Sequence, residues 1–154
     1  MTPAAPRPAF TLDPHLAADT LPVGDLDLCR VLLMNDARFP WLILVPRRER
    51  LVEIVDLPPS ERAMLMDEIA RCSQALRDVS RPEKLNVGAL GNRVAQLHVH
   101  VIGRFRDDAA WPDPVWGRGA PQRYEDAAGP RLAASVRVAL RLDRDRRPRE
   151  PHDP

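Results

Sequence analysis

Apolar residues recur along the chain in two rhythms. The runs "LCRVLLMN" (28–35) and "WLILVPRR" (41–48) are short, are separated by Asp36-Ala37-Arg38-Phe39-Pro40, and predict adjacent buried strands rather than helices. Further on, Leu65, Ile69, Cys72, Leu76 and Val79 recur at steps of four, three, four and three, with Asp67, Arg71 and Arg77 off that stripe. This spacing predicts an amphipathic helix. Pro58 and Pro59 suit its first turn, and Ser80-Arg81-Pro82 ends it. "KLNVGAL" (84–90) and "QLHVHVIGR" (96–104) alternate as strands do, and a turn at Gly91-Asn92 would join them as an antiparallel pair. In "PRLAASVRVALRL" (130–142), Leu132, Val136, Ala139 and Leu140 share one side of a second helix. Strands on both sides of a helix exclude an all-helical chain and a plain sandwich. The expected class is α+β, an antiparallel sheet backed by one or two helices.

Composition sets the limits of this picture. A chain of 154 residues fits one domain, and its 17 prolines gather near the start, around 112–130 and at the end. The expected organisation is a flexible segment 1–9, a domain over 10–142 and a disordered tail 143–154, where charge and proline leave almost nothing to bury. Lys plus Arg total 23 against 22 acidic residues, so no global basic face is available for nucleic acid, and a nucleotide would need a local site. Cys29 and Cys72 lie in apolar segments without a CxxC spacing, and read as small core residues in a reducing compartment. "MTPAAPRPAF" lacks the regions of a signal peptide, and no run approaches a membrane span. A cytoplasmic protein without membrane attachment is the expectation.

The chemistry concentrates in "RVAQLHVHVIGR" (93–104). Strand alternation puts Gln96, His98 and His100 on one face and Leu97, Val99 and Val101 on the other. Three readings follow. A solvent-facing strand with assorted polar residues is the plainest. A metal pair is the second, but zinc needs a third or fourth ligand, and the nearest acids, Asp107 and Asp108, lie beyond the strand. The third is nucleophilic catalysis at phosphorus, because neutral imidazole, with an ordinary pKa of about 6.5, is a good nucleophile near pH 7. The preceding "NVGALGNRV" (86–94) supplies two glycines, two asparagines and an arginine, which together can approach and hydrogen-bond a phosphate.

The stretch "LNVGALGNRVAQLHVHVI" resembles the signature of the histidine triad (HIT) superfamily, and "LLMNDARFPWLILVPRR" resembles that family's nucleotide-pocket strands. "WPDPVWG" fits a bacterial branch. The resemblance, over residues 20–105, implies a sheet of about five strands with one long helix and a C-terminal helix. It implies a hydrolase or nucleotidyl transferase acting on the α-phosphate of a nucleoside phosphoramidate or dinucleoside polyphosphate. His98 would be the nucleophile and His100 would contact the phosphate and leaving group. Asn86, Asn92 and Arg93 would bind phosphate and Asn35 the ribose, with a purine nucleotide or dinucleoside polyphosphate as ligand, no metal or other cofactor, and a homodimer as the assembly. A nucleotide-binding module with little turnover is the alternative.

Two positions depart from the family pattern. Gln96 stands where the first triad histidine is usual, and an amide can orient a neighbour but cannot carry a proton. Trp41 stands where a polar residue, usually histidine, is common, and reads as a core or dimer residue or as a wall of the base pocket. His15 reads as a surface histidine, and Trp111 and Trp116 as rings packed over the sheet or a partner.

Overall fold

The computed structural model describes residues 10–142. The expected flexible segment 1–9 and tail 143–154 lie outside the described residues. The elements are α1 (Pro14–Asp19), β1 (Thr20–Asp25), β2 (Cys29–Met34), β3 (Trp41–Pro46), a 3-10 turn (Ile54–Asp56), α2 (Pro59–Ser80), β4 (Lys84–Gly88), β5 (Val99–Arg104) and α3 (Ala128–Ala139). The five strands form one antiparallel sheet in the order β1-β2-β3-β5-β4. The α+β class and the five strands therefore stand as expected.

Helix α2 follows the stripe read from the sequence. Leu65, Ile69, Cys72 and Leu76 are buried against the sheet, each large apolar side chain contributing about 1.5–3 kcal/mol by leaving water. Pro59 opens the helix, and Arg81 closes it in the left-handed region at φ 51° with its N–H on the Arg77 carbonyl. The central strands show little polar alternation because both their faces are covered. From β3, Leu42 and Leu44 enter the core under α2 and α3, while Trp41, Ile43 and Val45 enter a second core on the opposite face. From β5, Val99 and Val101 join the first core and Ile102 the second.

Among the described residues, that second core has no helix layer of the α2 kind. It is closed by Leu16 of α1, by Phe10 and Leu12, and by Ala110, Val115 and Trp116 from the segment after β5. The sequence reading of the β4–β5 connection needs correction. The pair is antiparallel, but β4 ends at Gly88 and β5 begins at Val99, so residues 89–98 form a long connection in place of a tight turn at Gly91-Asn92. Gln96 and His98 consequently lie before β5 rather than on it, and only His100 stands within the strand.

Candidate active site

His98, the last residue of the connection, and His100, the second residue of β5, meet at the second face of the sheet, where Ile43 of β3 and Gly88 of β4 flank His100 in register. Both imidazoles are buried, at 7% and 6% exposure, with ring centroids 4.9 Å apart. Burial at that depth removes the reading of a plain solvent-facing strand.

The two rings are held by partners of opposite kind. His98 Nδ1 lies 2.7 Å from the backbone carbonyl oxygen of Gln96. A carbonyl only accepts, so Nδ1 carries the proton and the neutral ring keeps its lone pair on Nε2. Trp41 Nε1–H, in contrast, donates to His100 Nδ1 at 2.9 Å. An indole only donates, so neutral His100 carries its proton on Nε2. The pair thus offers one ring nitrogen as nucleophile and one N–H as donor. Burial, followed by the neighbouring His98, lowers the His100 pKa to about 3, so this ring stays neutral across the physiological range.

Indoles pack around His100. The rings of Trp41 and Trp116 lie 5.5 and 5.4 Å from it, and they meet each other edge to face at 6.4 Å. Gly88 makes room for this arrangement: a Cβ there would meet Trp116 Cη2 at 3.1 Å. A pocket of about 240 Å³ opens on His98, lined by residues 52–55, 89–91 and Leu97. Gly91, at φ +73°, turns the backbone along this wall.

The other residues singled out from sequence separate into groups. The Gln96 side chain is turned to the N-terminal segment, accepting from the Asp13 N–H and donating to the Thr11 carbonyl, each at 2.9 Å. Its backbone carbonyl, rather than its side-chain amide, is what meets His98. Asn86, on β4 opposite Ile102, accepts from Arg104 Nη1 at 2.8 Å through Oδ1, which leaves its amino group as the available donor. Asn92 and Arg93 are exposed on the 89–98 connection. Asn35 sits just past β2, its Oδ1 accepting from the Tyr124 N–H at 3.0 Å. Two strand spacings and three residues of rise place it about 14 Å from His100. The structure therefore groups His98, His100 and the Gln96 carbonyl, and leaves Asn35 at a distance.

Two roles are not legible in the sequence. Trp41 reads there as a core or dimer residue or as a wall of the base pocket; it is buried in the second core, and its ring nitrogen also sets the His100 tautomer. Arg104 was not singled out, yet it is buried and paired with Asp108 at 2.7 and 3.0 Å, between the rings of Phe39 and Trp111. Burial pushes the Asp108 acid up, but Arg104 and the N–H groups of Ala110, Phe105 and Trp111 outweigh it and hold its pKa far below the usual carboxylate range. The four-residue spacing of Arg104 and Asp108 was the available signal. Among the described residues no three His, Cys, Asp or Glu side chains converge as a metal set.

Residues 16–107 match the model of the HIT domain. A histidine triad protein from Bradyrhizobium japonicum superposes with a TM-score of 0.84 at 47% identity, covering 86% of this chain and 99% of its own. A histidine triad (HIT) protein from Sinorhizobium meliloti gives 0.82 at 45%, covering 84% and 96%. A Mycobacterium tuberculosis protein named AP-4-A phosphorylase is 39% identical over 131 residues, which cover 80% of this chain and 67% of that protein.

Proposed function

The chain belongs to the histidine triad family, and from that premise we propose that it transfers a nucleotidyl group through His98. The observation that carries this reading is the bond from His98 Nδ1 to the Gln96 carbonyl, which leaves the Nε2 lone pair of a buried ring beside the His100 donor. Nε2 attacks the α-phosphorus of a nucleotide derivative; the bond from phosphorus to the leaving atom breaks, and its electron pair leaves with that group. An acceptor then displaces His98. Water yields a nucleoside monophosphate, and inorganic phosphate yields a nucleoside diphosphate. Covalent catalysis of this kind divides one displacement into two.

Asn86 would donate its amino group to the phosphate, with the orientation fixed by Arg104. Asn92 and Arg93 extend the phosphate site along the connection, and Asn35 lies at the ribose end. Gln96 positions His98 and carries no proton. The name of the mycobacterial relative supports a dinucleoside polyphosphate as substrate. The exposed edge of β4, with Val87 half exposed, supports pairing with a second copy through the sheet. Light scattering tests that dimer.

The test of the activity is incubation with diadenosine tetraphosphate, with and without inorganic phosphate, followed by separation of the nucleotides. Release of AMP or ADP, lost in His98→Ala, is expected; the phosphate dependence distinguishes hydrolase from transferase. Saturable binding with no product above a mock preparation would make the protein a nucleotide-binding module, the reading favoured by the missing proton carrier at Gln96.

A further inference from the structure

We propose that Trp41 fixes His100 as a hydrogen-bond donor that does not exchange its proton, and so restricts the site to phosphoanhydrides over phosphoramidates. The inference rests on His98 acting as nucleophile. The two substrate classes differ in what the leaving group requires. An amine leaves phosphorus as a neutral molecule only once its nitrogen has gained a proton, so cleavage of a P–N bond needs a general acid. A phosphate leaves a P–O–P bridge with the bonding electron pair on its oxygen, as an anion stable at neutral pH. It needs hydrogen-bond donors and no proton.

The groups around His98 supply the second need and not the first. His100 could protonate a leaving atom as an imidazolium, or by giving up its Nε2 proton while Nδ1 gained one. Both routes require a proton on Nδ1, and the Trp41 N–H already occupies that lone pair at 2.9 Å. A proton there would set two N–H groups against each other at a site 6% exposed. The depressed pKa of the ring agrees with this geometry. A buried neutral imidazole that donates a hydrogen bond without becoming a cation is an established form of electrophilic assistance.

The neighbours do not substitute for the missing acid. The Gln96 amide is bonded to Thr11 and Asp13 and has no transferable proton. The Trp116 ring, packed against His100, brings a second buried indole N–H that is unpaired among the described residues. It too can donate a hydrogen bond without releasing a proton. Glu53, on the pocket wall, is exposed. In the balanced first step, the His98 Nε2–P bond forms as the P–O bond breaks, and the departing phosphate keeps the electron pair while His100 Nε2–H bonds to it. Trp41 is a positioning residue, since it acts through His100.

The experiment compares kcat/KM for diadenosine tetraphosphate and adenosine 5′-phosphoramidate in the wild type, Trp41→Phe and Trp41→His. The wild type is expected to favour the anhydride by at least about 100-fold, the lower range of what a positioned general acid contributes. Trp41→His, which supplies a ring able to pass a proton, is expected to narrow the ratio at least tenfold by raising phosphoramidate turnover. Trp41→Phe is expected to lower kcat on the anhydride more than it alters KM. Equal turnover of both substrates by the wild type, with a ratio unmoved in both variants, overturns the inference while leaving His98 as nucleophile. Absence of product from either substrate removes the proposed function itself. A measurement that needs no variant is the long-range proton–nitrogen NMR spectrum of the wild type between pH 5 and 8. His100 is expected protonated on Nε2 alone throughout; a proton on its Nδ1 in that range overturns the inference.

Discussion

Of the five buried polar or charged side chains among the described residues, only Glu68 belongs to the face of the sheet covered by α2 and α3; His98, His100 and Arg104 belong to the other, and Asp36, paired with Arg38, lies just past β2. On the helix face burial is almost entirely of carbon, and Glu68 is matched by the Leu28 and Cys29 N–H groups, both at 2.8 Å. On the opposite face each buried polar group has a partner that also fixes its chemistry: a carbonyl for His98, an indole for His100, a carboxylate for Arg104. The first face depends on area and shape. The second depends on pairing, and it is the one that carries the candidate site.

The sharpest way to break the contrast is to remove one half of a pair. Asp108→Ala leaves Arg104 buried without its carboxylate, and a loss of about 3–5 kcal/mol in chemical denaturation is expected. Nucleotide turnover should fall with it, because Asn86 loses its fixed orientation. Leu76→Ala on the helix face should cost about 2–5 kcal/mol of stability through the cavity it leaves. Activity per folded molecule should stay unchanged there.

Acid provides a third probe. The folded pKa of His100, about 3, lies below its ordinary value of 6.5, so the unfolded chain takes the proton first. The stability tied to this ring is complete above about pH 6.5 and is lost as the pH falls towards 3, by a few kcal/mol in all. Denaturation midpoints measured at pH 7 and pH 4.5 should differ in the wild type, and His100→Asn should flatten the dependence. The smallest effect is expected from Gln96→Ala, which deletes two hydrogen bonds to the N-terminal segment. About 1–2 kcal/mol is expected. Amide exchange confined to residues near 11–20 would identify it, while exchange spread over the sheet would contradict the clamp.

The helix face was legible in the sequence because its signals are local. The Leu65–Leu76 stripe, its prolines and the runs forming β2 and β3 follow from spacing alone. Strand β1 is not legible in its residues: "TLPVGD" contains a proline and a glycine, and its register with β2 shifts between Pro22 and Gly24. The pair His98 and His100 was visible through alternation, but the partners that set their protons were not. Trp41 is 59 residues from His100, and Gln96 is 85 from Thr11, so no local pattern joins them. The Asn-and-Gly segment was read as a tight hairpin because its residues favour turns; the ten residues instead wrap one wall of the pocket.

The distribution of indoles gives the molecule a one-sided optical signal. All three tryptophans of the chain lie on the pairing-dependent face, two against His100 and one against Arg104. Their emission during unfolding reports that face, whereas far-ultraviolet dichroism is dominated by the helices on the other. Coincident curves would mean that the faces melt as one cooperative unit. A fluorescence change that precedes the loss of helix would show the face that carries the histidine pair opening on its own.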